Sequence, residues 1–145
     1  MLSEEDVVEA VCDFLKERGY EIEQQLGPTE HGYDIIAKKG VPLGMVSMYV
    51  EAKGATSSKN TSNRFGRAFN ASQVRTHISV AMYKACEVLS LLTVGTDIIQ
   101  SGIALPNDAN HGKAVDKIRS SLTKLGIYLF LVNDDRSVLC YPELN

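Results

Sequence analysis

The stretch "GYDIIAKKGVPLGMVSMYVEAKG", residues 32–54, decides the fold and places the chemistry. Its two apolar runs are separated by "GVPLG", a turn signal between two β-strands, so we expect a hairpin. Side chains alternate along a strand, so Met48 and Val50 share one face, whereas Glu51 and Lys53 lie on the other. The second strand of the hairpin therefore ends with a carboxylate and an ammonium on the same face.

Asp34 opens the first strand of this hairpin, and the hairpin register can bring it beside Glu51. Two carboxylates a few ångströms apart repel strongly in a poorly screened site, and a divalent cation between them removes that penalty. Mg²⁺ suits such a site because it takes one or two carboxylates, a backbone carbonyl and water, and the carbonyl of Ala52 is a candidate third ligand. The Lys53 ammonium would then help hold hydroxide and neutralise charge that develops on a phosphate. A plain structural salt bridge among Asp34, Glu51 and Lys53 is the alternative, and the residues leave both open.

Hydrophobic periodicity along the chain predicts the order α-β-β-β-α-β-α-β-β in a single domain, residues 1–145. This order predicts an α/β fold with a mixed central sheet flanked by helices. A long helix is expected over residues 69–92 and a third helix over residues 111–125, with Leu92 and Leu125 at the ends of their buried seams.

The bulk composition is typical of a globular protein, with 44% hydrophobic and 23% charged residues. No run is long enough to cross a bilayer, and the first ten residues lack the pattern of a signal peptide. The three cysteines are odd in number and widely spaced, which favours buried free thiols. We therefore expect a cytoplasmic protein with no membrane partner.

The charges are distributed unevenly about a net charge of −3. Residues 1–34 hold ten acidic side chains against two basic ones, whereas residues 52–86 hold six basic side chains and no acidic one. This asymmetry can create a local positive surface on an acidic protein, and a solvated face without a partner is the alternative. The six basic residues are Lys53, Lys59, Arg64, Arg67, Arg75 and Lys84.

The segments "GYDIIA" and "YVEAKG", in an α-β-β-β-α-β order, resemble the PD-(D/E)xK nuclease superfamily, and most of all its small proteins of the Mrr or Holliday-junction-resolvase type. The resemblance covers roughly residues 3–132 and implies a restriction-endonuclease-like αβββαβ core. It implies Asp34 and Glu51 as metal ligands, Lys53 as the catalytic lysine and Mg²⁺ or Mn²⁺ as the cofactor. The implied activity is hydrolysis of DNA phosphodiester bonds by a metal-activated water, and RNA stays open as a substrate. Tyr33 stands where the literal motif has proline.

Two predicted helices also contain residues that resemble characteristic positions of the superfamily. Many relatives have a glutamate on the first helix that reaches the metal; Val8 stands about where it falls, and Glu4, one turn earlier, is the predicted replacement. The alternative for Glu4 is a helix N-terminal carboxylate without a catalytic duty. On the long helix, "QVRTH", residues 73–77, resembles a Gln-x-x-x-Tyr pattern with His77 in place of tyrosine. The resemblance implies that Gln73 supports the active site and contacts DNA.

The segment "GATSSKNTSNRFGRAFNASQ", residues 54–73, follows the predicted active site and is the expected substrate contact. It places basic side chains among small hydroxyl and amide groups, which suit contacts to phosphates. A flexible polar loop is the alternative. The predicted nucleic-acid contacts are Lys59, Arg64, Arg67, Gln73 and Arg75.

Two functional hypotheses follow for the whole chain. The first is a Mg²⁺-dependent nuclease, and the second is a catalytically silent nuclease-fold module that binds nucleic acid or a protein partner. The presence of both predicted metal-binding acids and of Lys53 favours the enzyme. Nucleases of this size commonly act on duplex DNA as symmetric dimers, and the C-terminal strand "SVLCY" is a candidate homodimer interface. An ordinary edge strand of a monomer is the alternative.

Overall fold

This α/β protein is built on a six-stranded mixed sheet with helices packed against both faces. The computed structural model describes residues 1–27, 29–57 and 66–145. Within these ranges lie four helices and six strands. In chain order they are α1 (Glu4–Glu17), β1 (Glu21–Gln25), β2 (Ile35–Val41), β3 (Gly44–Ala52), α2 (Ala71–Leu89), β4 (Ile98–Pro106), α3 (Ala109–Asp116), α4 (Arg119–Leu125), β5 (Ile127–Val132) and β6 (Val138–Tyr141).

The strands lie side by side in chain order, from β1 to β6. The first three form an antiparallel meander, β3, β4 and β5 are parallel, and β6 returns antiparallel at the edge. Each parallel step needs a crossover connection, which α2 supplies for the first and the α3–α4 pair for the second. The predicted mixed sheet and the α-β-β-β-α-β order are confirmed.

Different helices cover the two faces of the sheet. The apolar seam of α1, including Val11 and Leu15, packs in one core cluster with Met48 of β3. The seam of α2, including Ile78, packs in a second cluster with Ile103 of β4. Because side chains alternate along a strand, the residues that alternate with Met48 in β3 face α2. The polar end of β3 therefore meets α2.

The third predicted helix is interrupted, so the prediction of one continuous helix is wrong. Lys117 and Ile118 separate α3 from α4, and Ile118 leaves helical geometry with φ −118° and ψ 3°. Val115 and Leu122, on either side of the break, both stay buried. Leu125 is 48% exposed rather than buried, because α4 restarts after the break and no longer continues the seam of α3.

The long helix ends earlier than predicted. The backbone N–H of Ser90 bonds to the carbonyls of Glu87 and Val88, which caps α2 just after Leu89. Leu92 lies beyond this cap and is 95% exposed, so its predicted place in the seam is wrong.

No helix in the described part of the chain is long and apolar enough to span a membrane. The three cysteines are free thiols. Cys12 and Cys140 are buried as predicted, whereas Cys86 is exposed because it lies on the solvent side of α2, away from the buried seam.

Candidate active site

The open end of the β2–β3 hairpin brings two carboxylates together. Ile35 pairs with Val50, so continuing the register by one residue sets Asp34 opposite Glu51. Both carboxylates are buried, with Asp34 8% and Glu51 4% exposed. The structure therefore brings together the acidic pair that the sequence pattern predicts.

Glu51 is the centre of this cluster. Its Oε1 lies 3.3 Å from Lys53 Nζ and 3.2 Å from Lys84 Nζ. Its Oε2 is buried and has no hydrogen-bond partner among the residues that the structure describes. Burial raises the pKa of the Glu51 carboxyl and the Asp34 carboxylate raises it further, although the two ammonium groups oppose the change. Because a buried polar atom without a partner is costly, Oε2 marks a position where a cation would be stabilising.

The backbone of the neighbouring strand holds Asp34. Asp34 Oδ2 accepts a hydrogen bond from Ala52 N at 2.8 Å. Burial raises the pKa of the Asp34 carboxyl and the Glu4 carboxylate adds to the rise, which outweighs the lowering by the Ala52 N–H. The N–H and C=O of one strand residue point to the same side, so the Ala52 carbonyl points to the β2 side of β3, as its N–H does. The next amide, Lys53 N, points to β4 and donates to Ala104 O at 3.0 Å.

Glu4, the first residue of α1, reaches the same cluster. The chain before α1 is tied to the chain after β3, since Ala55 N donates to Leu2 O at 2.8 Å. Burial raises the pKa of the Glu4 carboxyl; the Lys53 ammonium lowers it and the Glu51 carboxylate raises it. These effects place the third predicted acid within electrostatic reach of the first two.

Gly54 permits the close approach of α1 to the end of β3. A Cβ at this position would lie 2.3 Å from Glu4 N and 2.7 Å from Ser3 C, both backbone atoms. We expect Gly54→Ala to lower the free energy of unfolding by about 2 kcal/mol through overpacking. Urea denaturation measures the loss. Gly40→Ala is the matched control, because nothing lies within 4 Å of a Cβ there, and equal losses in the two variants would contradict the prediction.

Lys84 of α2 is a site residue that the sequence reasoning missed. Its Nζ donates to Glu51 Oε1 at 3.2 Å and to Gly32 O at 3.4 Å. Burial lowers the pKa of the Lys84 ammonium, but the adjacent Glu51 carboxylate outweighs this and the pKa is raised. Helical periodicity could have revealed Lys84 from the sequence, because Gln73, His77 and Lys84 fall within roughly 40° of one another around a helix.

Gln73 is engaged at the start of α2. In a capping box its Oε1 accepts from Asn70 N at 2.9 Å, and Gln73 N donates to Asn70 Oδ1 at 2.9 Å. One turn later His77 packs edge-on against Phe69, with ring centroids 4.5 Å apart. Burial lowers the pKa of His77, and the positive charge of Lys53 lowers it further. The observed role of Gln73 is helix capping, and its catalytic role stays a prediction.

The predicted nucleic-acid contacts are described only in part. Lys59 and Arg64 lie outside the described residues. The described residues before and after that stretch are joined, since Phe69 N donates to Ala55 O at 2.9 Å, two residues beyond Lys53. Arg67 is exposed and lies two residues before Phe69. Of the described residues among the predicted nucleic-acid contacts, Arg67 is therefore the cation nearest to the cluster along the chain.

Arg75 lies apart from the acidic cluster. Around the helix it stands opposite Lys84, and it lines a groove of about 780 Å³ between α2 and the α3–α4 pair. Lys113 and Lys117 line the same groove, whose apolar lining includes Ile78. A nucleic-acid contact by Arg75 would therefore be separate from the carboxylates.

The cluster offers a donor set that suits Mg²⁺. In the part of the chain that the structure describes, no three His, Cys, Asp or Glu side chains already converge as a metal cage. Mg²⁺ is usually held by only one or two carboxylates, however, and completes its shell with water and substrate phosphates. The partnerless Oε2 of Glu51, the Asp34 carboxylate and the Ala52 carbonyl make such a set. The residues present therefore fit a divalent cation.

The fold and the cluster define an α/β protein with acids and lysines gathered at one end of a mixed sheet. Comparison with protein-family models, curated proteins and solved structures finds no significant match to this chain. The function is therefore argued from the geometry of the cluster.

Proposed function

We propose that this protein is a metal-dependent nuclease of the restriction-endonuclease-like class that hydrolyses phosphodiester bonds in DNA. The observation that carries the proposal is the buried cluster at the end of β3. There Asp34 and Glu51 meet across a hairpin, the Lys53 ammonium contacts Glu51, and Glu51 Oε2 has no partner among the described residues. The α-β-β-β-α-β order of the elements that carry these residues supports the same class.

Each residue of the cluster has a defined role in this proposal. Asp34, Glu51 and the Ala52 carbonyl would hold the cation, and Glu4 would add negative charge beside them. A bound Mg²⁺ or Mn²⁺ supplies charge neutralisation at the phosphate and a more acidic water. Lys53, held 3.3 Å from Glu51, stabilises the negative charge that develops on the scissile phosphate. Burial strengthens all of these electrostatic interactions relative to water.

Substrate affinity would come mainly from cations outside the cluster. Arg67 is exposed and lies beside Ala68, which pairs with Thr56 just after the site, so it is a candidate contact for a backbone phosphate. Such contacts hold the nucleic acid without reading its sequence and weaken as salt rises. The roles of Lys59, Arg64, Gln73 and Arg75 in binding remain predictions.

A symmetric homodimer would place two such sites on the two strands of a duplex. The edge strand β6 carries exposed apolar side chains, with Leu139 and Tyr141 each 43% exposed, and supplies one candidate interface. Light scattering coupled to size exclusion gives the mass directly, and a mass of one chain would remove the dimer from the proposal.

The proposed activity is tested with purified protein on supercoiled, linear, branched and single-stranded DNA, and on single-stranded RNA. We expect DNA cleavage with Mn²⁺ or Mg²⁺ and none with EDTA, because Asp34 and Glu51 cannot replace the cation. If only the RNA is cleaved, the substrate class becomes RNA and the proposed metal-dependent hydrolysis is retained. Inertness on all substrates, together with no Mn²⁺ uptake by calorimetry, would remove the proposal.

A nuclease-fold module without catalysis is the second candidate, and one observation favours it. Lys53 and Lys84 already neutralise Glu51 Oε1, so the cluster has a salt-bridged state that needs no metal. This candidate predicts binding of DNA or a protein with no Mn²⁺ uptake. Calorimetry with Mn²⁺ followed by DNA binding in EDTA separates it from the enzyme.

A further inference from the structure

Two ammonium groups converge on a single oxygen in this cluster. Lys53 Nζ and Lys84 Nζ both contact Glu51 Oε1, at 3.3 and 3.2 Å, whereas Oε2 of the same carboxylate has no partner among the described residues. Lys53 comes from the chain end of β3 and Lys84 from the middle of α2. One lysine is enough for a salt bridge, so the second calls for a separate explanation.

Because of the formal charge of the cluster, binding of a metal ion and binding of a phosphate favour each other. With every group ionised, Glu4, Asp34 and Glu51 bring three negative charges and the two lysines bring two positive ones, which leaves a formal charge of −1. A divalent cation entering alone would turn this into one excess positive charge in a buried site. A phosphodiester, which carries one negative charge, would restore neutrality. Both ligands entering together are therefore favoured over the cation alone.

Of the two lysines, Lys84 is the one whose ammonium group can change partner when ligands bind. Its side chain is 33% exposed, against 16% for Lys53, and it reaches the cluster from a helix rather than from the strand itself. Its second contact, to Gly32 O, is long at 3.4 Å. The Lys84 ammonium can therefore leave Glu51 for a phosphate or for water without moving the hairpin.

We propose that Lys84 is a positioning residue that disfavours binding of the divalent cation alone and favours its binding together with a substrate phosphate. This inference rests on the proposed nuclease function. Without a bound phosphate, Lys84 pairs with Glu51 Oε1 and its positive charge repels a divalent cation. When a phosphate arrives, the ammonium moves to the phosphate and the repulsion is removed. By linkage, DNA must then strengthen Mn²⁺ binding as much as Mn²⁺ strengthens DNA binding.

The decisive measurement is calorimetric titration of Mn²⁺ into the protein without DNA. We expect Lys84→Met to bind Mn²⁺ on the order of tenfold more tightly than the wild type, because one positive charge beside the ligand is gone. Lys84→Arg keeps the charge and should bind Mn²⁺ like the wild type. Lys113→Met is the matched control, because this exposed lysine lies on α3 away from the cluster.

The coupling is measured with fluorescent duplex DNA whose linkages are cleavage-resistant phosphorothioates, so that Lys53 and its charge stay in place. Anisotropy titrations with Mn²⁺ and with EDTA give the gain in DNA affinity that the cation produces. We expect this gain to be several-fold smaller for Lys84→Met than for the wild type. Thermal melting in EDTA and in Mn²⁺ shows whether each variant is folded.

The outcomes separate the inference from the function on which it rests. Equal or weaker Mn²⁺ binding by folded Lys84→Met, with wild-type protein that binds Mn²⁺, overturns the inference alone. Absence of Mn²⁺ binding in every protein, with and without DNA, overturns the proposed function and the inference with it. If Lys84→Met does not fold, Lys84→Gln replaces it with the same expected gain in affinity.

Discussion

Lys53→Met is expected to lower DNA cleavage by at least about 100-fold while Mn²⁺ binding is retained. Removal of one preorganised group that stabilises transition-state charge typically costs about 100- to 1,000-fold in rate. Lys53 Nζ lies 3.3 Å from Glu51 Oε1, and its side chain is only 16% exposed, so the ammonium is held beside the proposed metal site. Single-turnover plasmid cleavage with saturating Mn²⁺ measures the loss.

A surface lysine provides the control for this experiment. Lys38 on β2 pairs with Glu23 at 2.8 Å and is 42% exposed, and we expect Lys38→Met to cut like the wild type. If folded Lys53→Met keeps cleavage within about threefold of the wild type, Lys53 has no part in the chemistry. In that case Lys84 becomes the candidate for the catalytic ammonium.

Asp34→Asn is expected to abolish Mn²⁺ binding and to stabilise the protein at neutral pH. The asparagine can still accept the hydrogen bond from Ala52 N that Asp34 Oδ2 accepts at 2.8 Å, so the hairpin end should keep its geometry. It cannot supply the negative charge that a divalent cation needs. Calorimetry measures the loss of binding, and urea denaturation at several pH values measures the stability.

The pH dependence follows from the direction of the pKa shift. Burial raises the pKa of the Asp34 carboxyl above its ordinary value of 3.8, so the folded protein keeps this proton to higher pH than the unfolded chain does. The contribution of Asp34 to the free energy of unfolding is therefore complete below pH 3.8 and falls as the pH rises through the folded value. Asparagine does not ionise, so the free energy of unfolding of Asp34→Asn does not fall in this way as the pH rises.

The stability difference should accordingly be present at pH 7 and vanish below about pH 3.8. Asp13→Asn serves as the control, since Asp13 is exposed on α1 and its substitution should leave Mn²⁺ binding unchanged. If the wild type is more stable than Asp34→Asn at pH 7 in EDTA, the Asp34 carboxylate stabilises the fold and the stability prediction is wrong. Unchanged Mn²⁺ binding by folded Asp34→Asn would remove Asp34 from the proposed metal ligands.

Short-range patterns in the sequence were enough to predict most of the fold. Alternation of apolar residues predicted the strands of the β2–β3 hairpin, and the "GVPLG" turn predicted how they pair. The register of an antiparallel hairpin is set locally, so Asp34 and Glu51 could be predicted as neighbours before any tertiary contact was known. The same local rules failed at Leu92 and Leu125, because helix ends depend on caps and breaks outside the apolar period.

The amino-acid sequence by itself determined the strands, the order of the elements and the acidic pair with its lysine, because each depends on neighbours in the chain. The family resemblance suggested Glu4 as a third acid, but the local patterns of the sequence do not show how distant groups come to lie beside that pair, and only the tertiary structure does. Lys84 reaches Glu51 because α2 packs across the sheet on the face that carries the polar end of β3. Glu4 reaches it because the chain before α1 is tied to the chain after Gly54, where only a glycine leaves room. Lys84 and Glu4 each lie more than thirty positions from Glu51 along the chain, and the periodicity of a single helix or strand does not predict such long-range proximity.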